Sequence, residues 1–408
     1  MGKFLDIFKS FLGRRPREAP KRVQREYPPF TKDFSINPES SFAVKMFQAV
    51  IQTANTPDAN IVVSPYSAEV ILAAILPGAG GELKSALTEL LCQAGRDFSE
   101  IIRNLEAVNT DGALKSVNAA FYDDRCCLAP QYQETIQSAM QFGFSKTPFE
   151  KSPGEALTIV NNFVAEKTEG KIISLLSEVK PTTLLILVNI IDFSGQWEIP
   201  FDKKDTELDI FYCPKGVEKT VEFMKNNETW VRASNMDASG EPKMVILNVA
   251  NRKFSVMLIL PAENTGGISD LEKELTIEKL LALRERSSDG IHYVVMPKFR
   301  ISCGVDLIPG AKAMGLQEMF EPSVTNFSGM FEDTHWPKQV DVFRQEVVLE
   351  VDEYGVKAAA ATGCCIGDYC CDCSRSSPDF VANRPFLVII WNEVANVPVF
   401  IGRITDPS

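Results

Sequence analysis

The chain has 408 residues, of which 45% are hydrophobic and 24% charged, a composition typical of a globular protein with a sizeable core. Its formal net charge is −12, and no long basic run follows the first 25 residues. This argues against nucleic acid as the main partner, because phosphate contacts need clustered Lys and Arg. No stretch has the length and apolarity of a membrane-spanning helix.

Residues 1–30 differ in composition from the rest of the chain. Met1–Arg15 places apolar residues at helical spacing beside basic ones, and Pro16 and Pro20 mark a linker after it. One interpretation is a short helix in weak contact with an anionic membrane surface. The other is a frayed extension, or a helix docked on the body. Residues 31–408 are predicted to form a single domain, and we expect a monomer.

The first residues of the chain also bear on the cellular compartment in which the protein acts. Asp6 and Lys9 interrupt the apolar residues there, so this end lacks the continuous apolar stretch of a secretory signal. Without such a signal, the ten cysteines are expected to be thiols and not a disulfide framework. These observations favour the cytoplasm, with membrane association as a second interpretation and an extracellular location left open.

Apolar patterns along the body predict helices first and strands later. A helical apolar period behind a Ser cap predicts a helix at Ser40–Thr53, and a second apolar run, ended by Gly78, predicts one at Ser64–Leu76. Short apolar runs rich in branched residues predict strands at Thr183–Asp192, His292–Pro297, Phe386–Trp391 and Val397–Ile404. This order indicates a mixed α+β domain and not a doubly wound parallel sheet.

The motifs of common enzyme classes are missing from the sequence. It has no Walker-type phosphate loop, no His-Glu-x-x-His and no Gly-x-Ser-x-Gly. Only two histidines occur, His292 at a predicted strand and His335 in a polar loop, and each is expected to be structural or superficial. We therefore expect no enzymatic activity, no metal and no cofactor, and a function in a binding surface or a mechanical property.

Several stretches, in order along residues 38 to 408, resemble the serpin family. They are Asn60–Ser67 with Gly78 and Ala79, Asn161–Leu176, Val188–Thr206 with Trp197, Met296–Phe299, Met314–Phe320 and Phe400–Pro407. The resemblance implies an α+β serpin fold, with helices packed around a large central mixed sheet plus smaller sheets. It also implies an exposed reactive-centre loop, at about residues 353–377.

The segment from Glu353 to Thr362 resembles the proximal hinge of inhibitory serpins. Such a loop must insert into a sheet as a new strand after cleavage, and side chains on a strand alternate between faces. The inward parity carries only small or branched uncharged residues, and Gly355 lets the chain bend. By itself the alanine run would also suit a helical turn. The hinge residues are Glu353, Gly355, Val356, Ala358, Ala359, Ala360, Ala361 and Thr362.

Two positions depart from the family pattern. Val356 stands where the family usually has Thr or Ser, and Gln345 where it commonly has a His beneath the sheet. Gln can both donate and accept hydrogen bonds, so a buried cluster there can still be satisfied. The resemblance implies that the residues supporting sheet opening are Ser64, Ser67, Asn189, Trp197 and Gln345.

The cleaved bond has two candidate positions, because the loop is longer than usual. Counting from the hinge predicts Tyr369-Cys370, which would suit a chymotrypsin-like protease. Counting back from Pro385 predicts Arg375-Ser376, which would suit a trypsin-like protease. Cleavage after Arg375 adds roughly 20 Å of slack at ~3.3 Å per residue, and a slack tether would leave the protease intact. Tyr369 is therefore favoured.

Half of the cysteines lie in one ten-residue stretch of this loop, as Cys364, Cys365, Cys370, Cys371 and Cys373. They could form a redox or metal switch that blocks insertion, or carry acyl chains. The spacing fits no standard zinc pattern, and they could also be variable residues in a loop under little packing constraint.

Together these observations predict an inhibitor of serine endopeptidases that acts as a suicide substrate. The loop would be cleaved, inserted into the central sheet, and the protease trapped covalently. The alternatives are a non-inhibitory serpin acting as a binding or chaperone protein, and a cross-class inhibitor of cysteine proteases.

Overall fold

A computed structural model describes residues 38–408 except 55, 93–95, 109–112, 235–239, 264–265, 323–324, 333–337 and 357–378. All described residues belong to one compact unit. The extension predicted at residues 1–30, with its membrane contact, lies outside them.

The described residues form nine α-helices. The predicted helix at Ser64–Leu76 is confirmed as the second of these, with Ser64 accepting a hydrogen bond from the N–H of Ser67 as its N-cap and Pro65 at its first position. Every residue of this helix is buried, which explains why it has no polar face. The helices are α1 (Pro38–Thr53), α2 (Pro65–Ile75), α3 (Gly81–Leu91), α4 (Phe98–Val108), α5 (Pro130–Ala139), α6 (Pro153–Lys167), α7 (Ile268–Glu274), α8 (Ile277–Arg286) and α9 (Ile308–Ala311).

Each of the four predicted strands is confirmed by a strand of the structure, although the predicted Thr183–Asp192 begins two residues before the observed Leu185–Phe193. The strands are β1 (Ile61–Val63), β2 (Leu114–Asp123), β3 (Phe142–Thr147), β4 (Leu185–Phe193), β5 (Gly195–Gln196), β6 (Glu207–Tyr212), β7 (Glu218–Ser234), β8 (Lys243–Asn248), β9 (Phe254–Leu260), β10 (Ser288–Pro297), β11 (Phe299–Asp306), β12 (Val342–Val351), β13 (Gly355–Val356), β14 (Phe380–Val381), β15 (Phe386–Asn392) and β16 (Val397–Ile404).

The central sheet contains seven of these strands, in the order β3-β2-β4-β12-β13-β5, with β11 pairing to β12. The β2–β3 and β4–β12 pairs are parallel, and the other pairs are antiparallel. The predicted mixed central sheet is therefore confirmed.

A second, nine-stranded sheet has the order β1-β16-β15-β9-β8-β7-β10-β14, with β6 pairing to β7. β7 is 17 residues long, so it pairs with β6 and β10 as well as β8. The smaller sheets implied by the resemblance are thus continuous with each other. Among the described residues, no helix is both long and apolar enough to cross a membrane.

β4 lies between two apolar clusters, because its side chains alternate between faces. Leu187 and Ile191 belong to the large core, which also includes residues of α1 to α4, β15 and β16. Val188 and Ile190 belong to a smaller cluster formed with α6. Asn189 has the parity of Leu187 and Ile191, and so points toward α2.

Candidate functional site

The turn between β12 and β13 is held by Trp197 and Phe201, which lie in the segment that follows β5. The indole N–H of Trp197 donates to the carbonyl of Asp352 at 2.8 Å, and its backbone N–H donates to the carbonyl of Tyr354 at 2.9 Å. The backbone N–H of Phe201 donates to the carbonyl of Glu353 at 2.9 Å. These bonds fix where the chain leaves β12 and therefore where the predicted hinge begins.

β13 contains the first two described hinge residues after that turn. Val356 pairs with Val351 of β12 on one side and with Gly195 of β5 on the other, and its side chain is completely buried. A Cβ atom on Gly355 would lie 2.1 Å from the carbonyl oxygen of Gly195, so only glycine allows this backbone approach. The first hinge residues thus lie between β12 and β5 at this end of the central sheet and pair with both strands.

Glu353 is buried within this turn, with 2% of its surface exposed. Its carboxylate accepts a hydrogen bond from the Thr206 hydroxyl at 2.8 Å and pairs with the Lys298 ammonium at 3.2 Å. Burial opposes ionisation, but hydrogen bonds from its own backbone, Thr206 and Lys298 together lower the pKa of Glu353. Its stabilising contribution is therefore present above the ordinary carboxyl range and is lost as the pH falls through that lowered pKa.

Sequence reasoning missed the partners of Glu353. Thr206 and Phe201 lie in the stretch that contains Trp197, and Lys298 lies in the Met296–Phe299 stretch. The available signal was membership of these two stretches, which the fold brings to the same turn.

A second polar group is buried beneath the central sheet, where Gln345 of β12 lies in register with Asn189 of β4. The Gln345 amide donates to Asn189 Oδ1 at 2.6 Å and to the Ser64 carbonyl at 2.9 Å, and its Oε1 accepts from the Ser64 N–H at 2.7 Å. Asn189 in turn donates to Ser67 Oγ and to Asn118 Oδ1. We name these five residues the buried polar network.

The buried polar network joins α2 to both β4 and β12. Ser64 Oγ also donates to the Val399 carbonyl of β16 at 2.8 Å, so the start of α2 is bonded to the second sheet as well. Because Gln345 and Asn189 sit on the two strands that pair in parallel, separating β4 from β12 would break their hydrogen bond. Gln345 thus meets the hydrogen-bonding demand of this position without a histidine.

We expect Gln345→Ala to lower the free energy of unfolding by about 2–4 kcal/mol, because it leaves the Ser64 N–H and Asn189 Oδ1 buried without this partner. Chemical denaturation followed by tryptophan fluorescence would measure the loss. Gln137→Ala, an exposed change on α5, is the control and should alter stability by less than about 0.5 kcal/mol. Equal midpoints for the two variants would contradict an essential structural role for Gln345.

The segment after α6 covers the face of the sheet opposite the buried polar network. Asn161 Oδ1 accepts from the N–H groups of Leu175 and Leu176 at 2.9 and 3.0 Å, and its amide donates to the Leu176 carbonyl at 2.9 Å. Leu175 and Leu176 belong to the same apolar cluster as Ile190 and Val348 of the sheet. The segment therefore packs against both strands that an inserted strand would separate.

His292 lies in β10, and its Nδ1 is 3.7 Å from Asp379 Oδ2. The same carboxylate accepts from the N–H of Tyr293 at 2.9 Å. Asp379 is the first described residue after position 378, so these contacts attach the chain to the second sheet at that point. His335 lies outside the described residues.

Several predicted site residues also lie outside the described part. These are the hinge residues Ala358, Ala359, Ala360, Ala361 and Thr362, the bait residues Tyr369, Cys370, Arg375 and Ser376, and the cluster Cys364, Cys365, Cys370, Cys371 and Cys373. Among the residues that are described, five cysteines are free thiols, and no group of three or more His, Cys, Asp or Glu could hold a metal ion.

Comparison with known proteins gives a consistent result. A family model described as Serpin (serine protease inhibitor) matches residues 37–407. Human Serpin B8 is 29% identical over 378 residues, a match that covers 90% of this chain and 98% of the relative.

Solved structures show the same architecture. The mouse protein-Z dependent protease inhibitor superposes with a TM-score of 0.78 at 26% identity, covering 91% of this chain and 96% of that one. Human thyroxine-binding globulin superposes with a TM-score of 0.80 at 23% identity, covering 91% and 98%. At the latter identity the likeness concerns the fold alone.

Proposed function

The chain belongs to the serpin family, and from that premise we propose that it inhibits serine proteases as a suicide substrate. The observation that carries the proposal is the position of β13. It runs antiparallel to β12 and β5, so a straight continuation of β13 would enter between β12 and β4.

Insertion along this line would replace one strand pairing with two. The β4–β12 pair, which now has seven register partners from Val342↔Ile186 to Val348↔Asp192, would open. Each inserted residue would then lie between two strands, with one neighbour on each side. More backbone hydrogen bonds in the inserted state make the step favourable, and this supports a native state that is metastable.

The chemistry would belong to the protease. Its serine oxygen attacks the carbonyl carbon of Tyr369, the bond to the Cys370 nitrogen breaks, and that nitrogen leaves as an amine after taking up a proton. The serine of the protease is then joined to the carbonyl carbon of Tyr369 by an ester bond. Insertion of the segment before Tyr369 would pull the protease against the body before water hydrolyses that ester. We propose no reaction catalysed by this chain itself.

A chymotrypsin-like target at Tyr369 is favoured, and a trypsin-like target at Arg375 is second. A cysteine protease could be trapped through the same loop. We further propose that the protein acts in the cytoplasm as a monomer.

The alternative is a binding protein that keeps the fold without the trap. Structures of thyroxine-binding globulin in complex with thyroxine share this fold, and Val356 and Gln345 depart from the inhibitory pattern. The two functions differ in one measurable property. A trap should gain heat stability greatly once its loop is cut, because insertion completes the sheet, whereas a binding protein should not.

We expect the full chain, mixed under reducing conditions with chymotrypsin and separately with trypsin, to form a complex that survives denaturing electrophoresis. Mass spectrometry of the released C-terminal fragment identifies the bond. A fragment that starts at Cys370 supports Tyr369, and one that starts at Ser376 supports Arg375. Tyr369→Ala and Arg375→Ala are matched variants, of which only one should abolish the complex. Cleavage without any complex, and without a gain in heat stability, would contradict inhibition.

A further inference from the structure

The pairing of β13 defines where the next residues of an inserted strand would lie. Val356 pairs with Val351 of β12 on one side and with β5 on the other. Both pairings are antiparallel, so each step forward along the loop is one step back along its neighbours. Lys357 would therefore lie between Glu350 of β12 and Ser194. Lys357 itself is outside the described residues, and the two registers concern only its place in an inserted strand.

Strand alternation assigns Lys357 and Glu350 to the same face of the central sheet. Leu349 and Val351 belong to the large core, so Glu350 between them points to the opposite, outer face. The side chain of Val356 is buried on the core side, so Lys357 in an inserted strand would also point outward. The two side chains would thus be cross-strand neighbours, with Cβ atoms about 4.5–5.5 Å apart.

The charges around this position favour a cation. Glu350 pairs with Arg300 of β11 at 3.9 Å, and their side chains are 42% and 61% exposed, so this pair is loose. Asp192 of β4 would be a diagonal neighbour of Lys357 on the same face, about 7–8 Å away, and it pairs with Lys171 at 3.4 Å. Arg300 would lie two strands from Lys357, about 10 Å away. The nearest charge to Lys357 would therefore be the loosely paired carboxylate of Glu350.

We propose that Glu350 is a positioning residue for insertion, because its carboxylate attracts Lys357 into the gap between β12 and the end of β4. Opposite charges directly across two strands stabilise the pairing, and like charges destabilise it. The pair would form at the first residue beyond β13, so it acts on the rate at which insertion begins. That rate competes with hydrolysis of the ester. The inference rests on the proposed inhibitory function and adds a determinant of trapping that lies outside the bait.

Charge reversal at the two positions tests the pair. Each variant is mixed with chymotrypsin or trypsin, whichever forms the complex. Insertion is followed by energy transfer between a dye on the protease and one at position 137, which is exposed on α5. We expect Lys357→Glu to slow insertion about fivefold, because it replaces an attraction with a repulsion. Glu350→Lys should slow it by a similar factor, and the double variant should return to within about twofold of the wild-type rate.

Salt and a remote charge provide the controls. Raising the NaCl concentration to about 1 M should shrink the difference between wild type and Lys357→Glu, because exposed charges are screened by salt. Lys84→Glu, an exposed change on α3, alters the net charge equally and should leave the insertion rate unchanged. Melting curves of the uncleaved variants establish that each is folded.

The outcomes separate the charge pair from the function on which it rests. Equal insertion rates for wild type and both single reversals would overturn the role of Glu350 and leave inhibition in place. So would a double variant that is as slow as the single reversals or slower, because the two charges would then act independently. Absence of a covalent complex from the wild-type chain and every variant would overturn the proposed inhibition, and the charge pair with it.

Discussion

Val356→Arg is expected to convert the inhibitor into a substrate, so that the protease cleaves the loop and no covalent complex accumulates. Val356 is completely buried between β12 and β5, and its parity would continue inward through Ala358 and Ala360 in an inserted strand. A guanidinium at this position would release β13 from between β12 and β5 in the native chain, because burying it without a partner costs several kcal/mol, and insertion would then have to bury it. Insertion would then be slower than hydrolysis of the ester.

The measurement is the number of inhibitor molecules consumed per protease inactivated, together with the melting temperature of the cleaved form. For Val356→Arg we expect the number of inhibitors consumed per protease to rise more than tenfold. We also expect the cleaved form of this variant to melt no higher than its native form. Tyr354→Arg is the control, because that side chain is 53% exposed and should tolerate a charge. Val356→Thr should retain inhibition. A Val356→Arg protein that still traps protease would show that insertion does not proceed through β13.

Local patterns sufficed to predict much of the fold. β16 has the predicted bounds of Val397–Ile404, and α2 lies within the predicted helix Ser64–Leu76. The predicted cap of the first helix was wrong, because Ser40 lies inside α1, which includes Pro38 and Glu39 before it. β10 begins at Ser288, four residues before the predicted start, because its pairing with β7 continues through a polar segment. Such pairing depends on a distant strand and leaves no apolar signal in the segment itself.

The candidate functional site shows the same difference between local patterns, which the sequence reveals, and contacts between distant residues, which it does not. The sequence indicated a hinge at Glu353 and Gly355, and these lie where a new strand would begin. It did not indicate that Thr206 and Lys298 hold Glu353, because these contacts join residues 147 and 55 positions away along the chain. Nor did it indicate that Glu69 is enclosed on all sides. A glutamate within an apolar helix can equally well lie at an edge and reach water.

Glu69 of α2 is expected to make stability depend strongly on pH. It is 2% exposed, and its Oε1 has no hydrogen-bond partner in the described part of the chain. The nearby Glu39 of α1 pairs with Arg96 and accepts from the Asn104 amide at 2.7 Å. Burial, and then the charge of Glu39, raise the pKa of Glu69 to about 8, although Arg96 lowers it in part.

The direction of this pH dependence follows from comparing the Glu69 carboxyl in the unfolded and the folded protein. An unfolded chain releases this proton near pH 4.5, whereas the folded protein retains it up to about pH 8. Unfolding therefore releases a proton between these values, and stability falls as the pH rises through this window, by up to about 5 kcal/mol in all. Below the window the carboxyl is neutral in both states, and above it the loss is complete.

Glu69→Gln removes this loss by replacing the carboxyl with an amide of similar shape that does not ionise. We expect the variant to be more stable than the wild type by about 4 kcal/mol at pH 8, and to differ by less than about 1 kcal/mol at pH 4.5. Denaturation at half-unit pH steps measures the difference, with Glu89→Gln, exposed on α3, as the control. A stability difference that does not change with pH would show that Glu69 ionises normally in the folded protein. In that case a water molecule or a shift of α2 must solvate the carboxylate, and the tight packing of α2 beneath the central sheet would have to be revised.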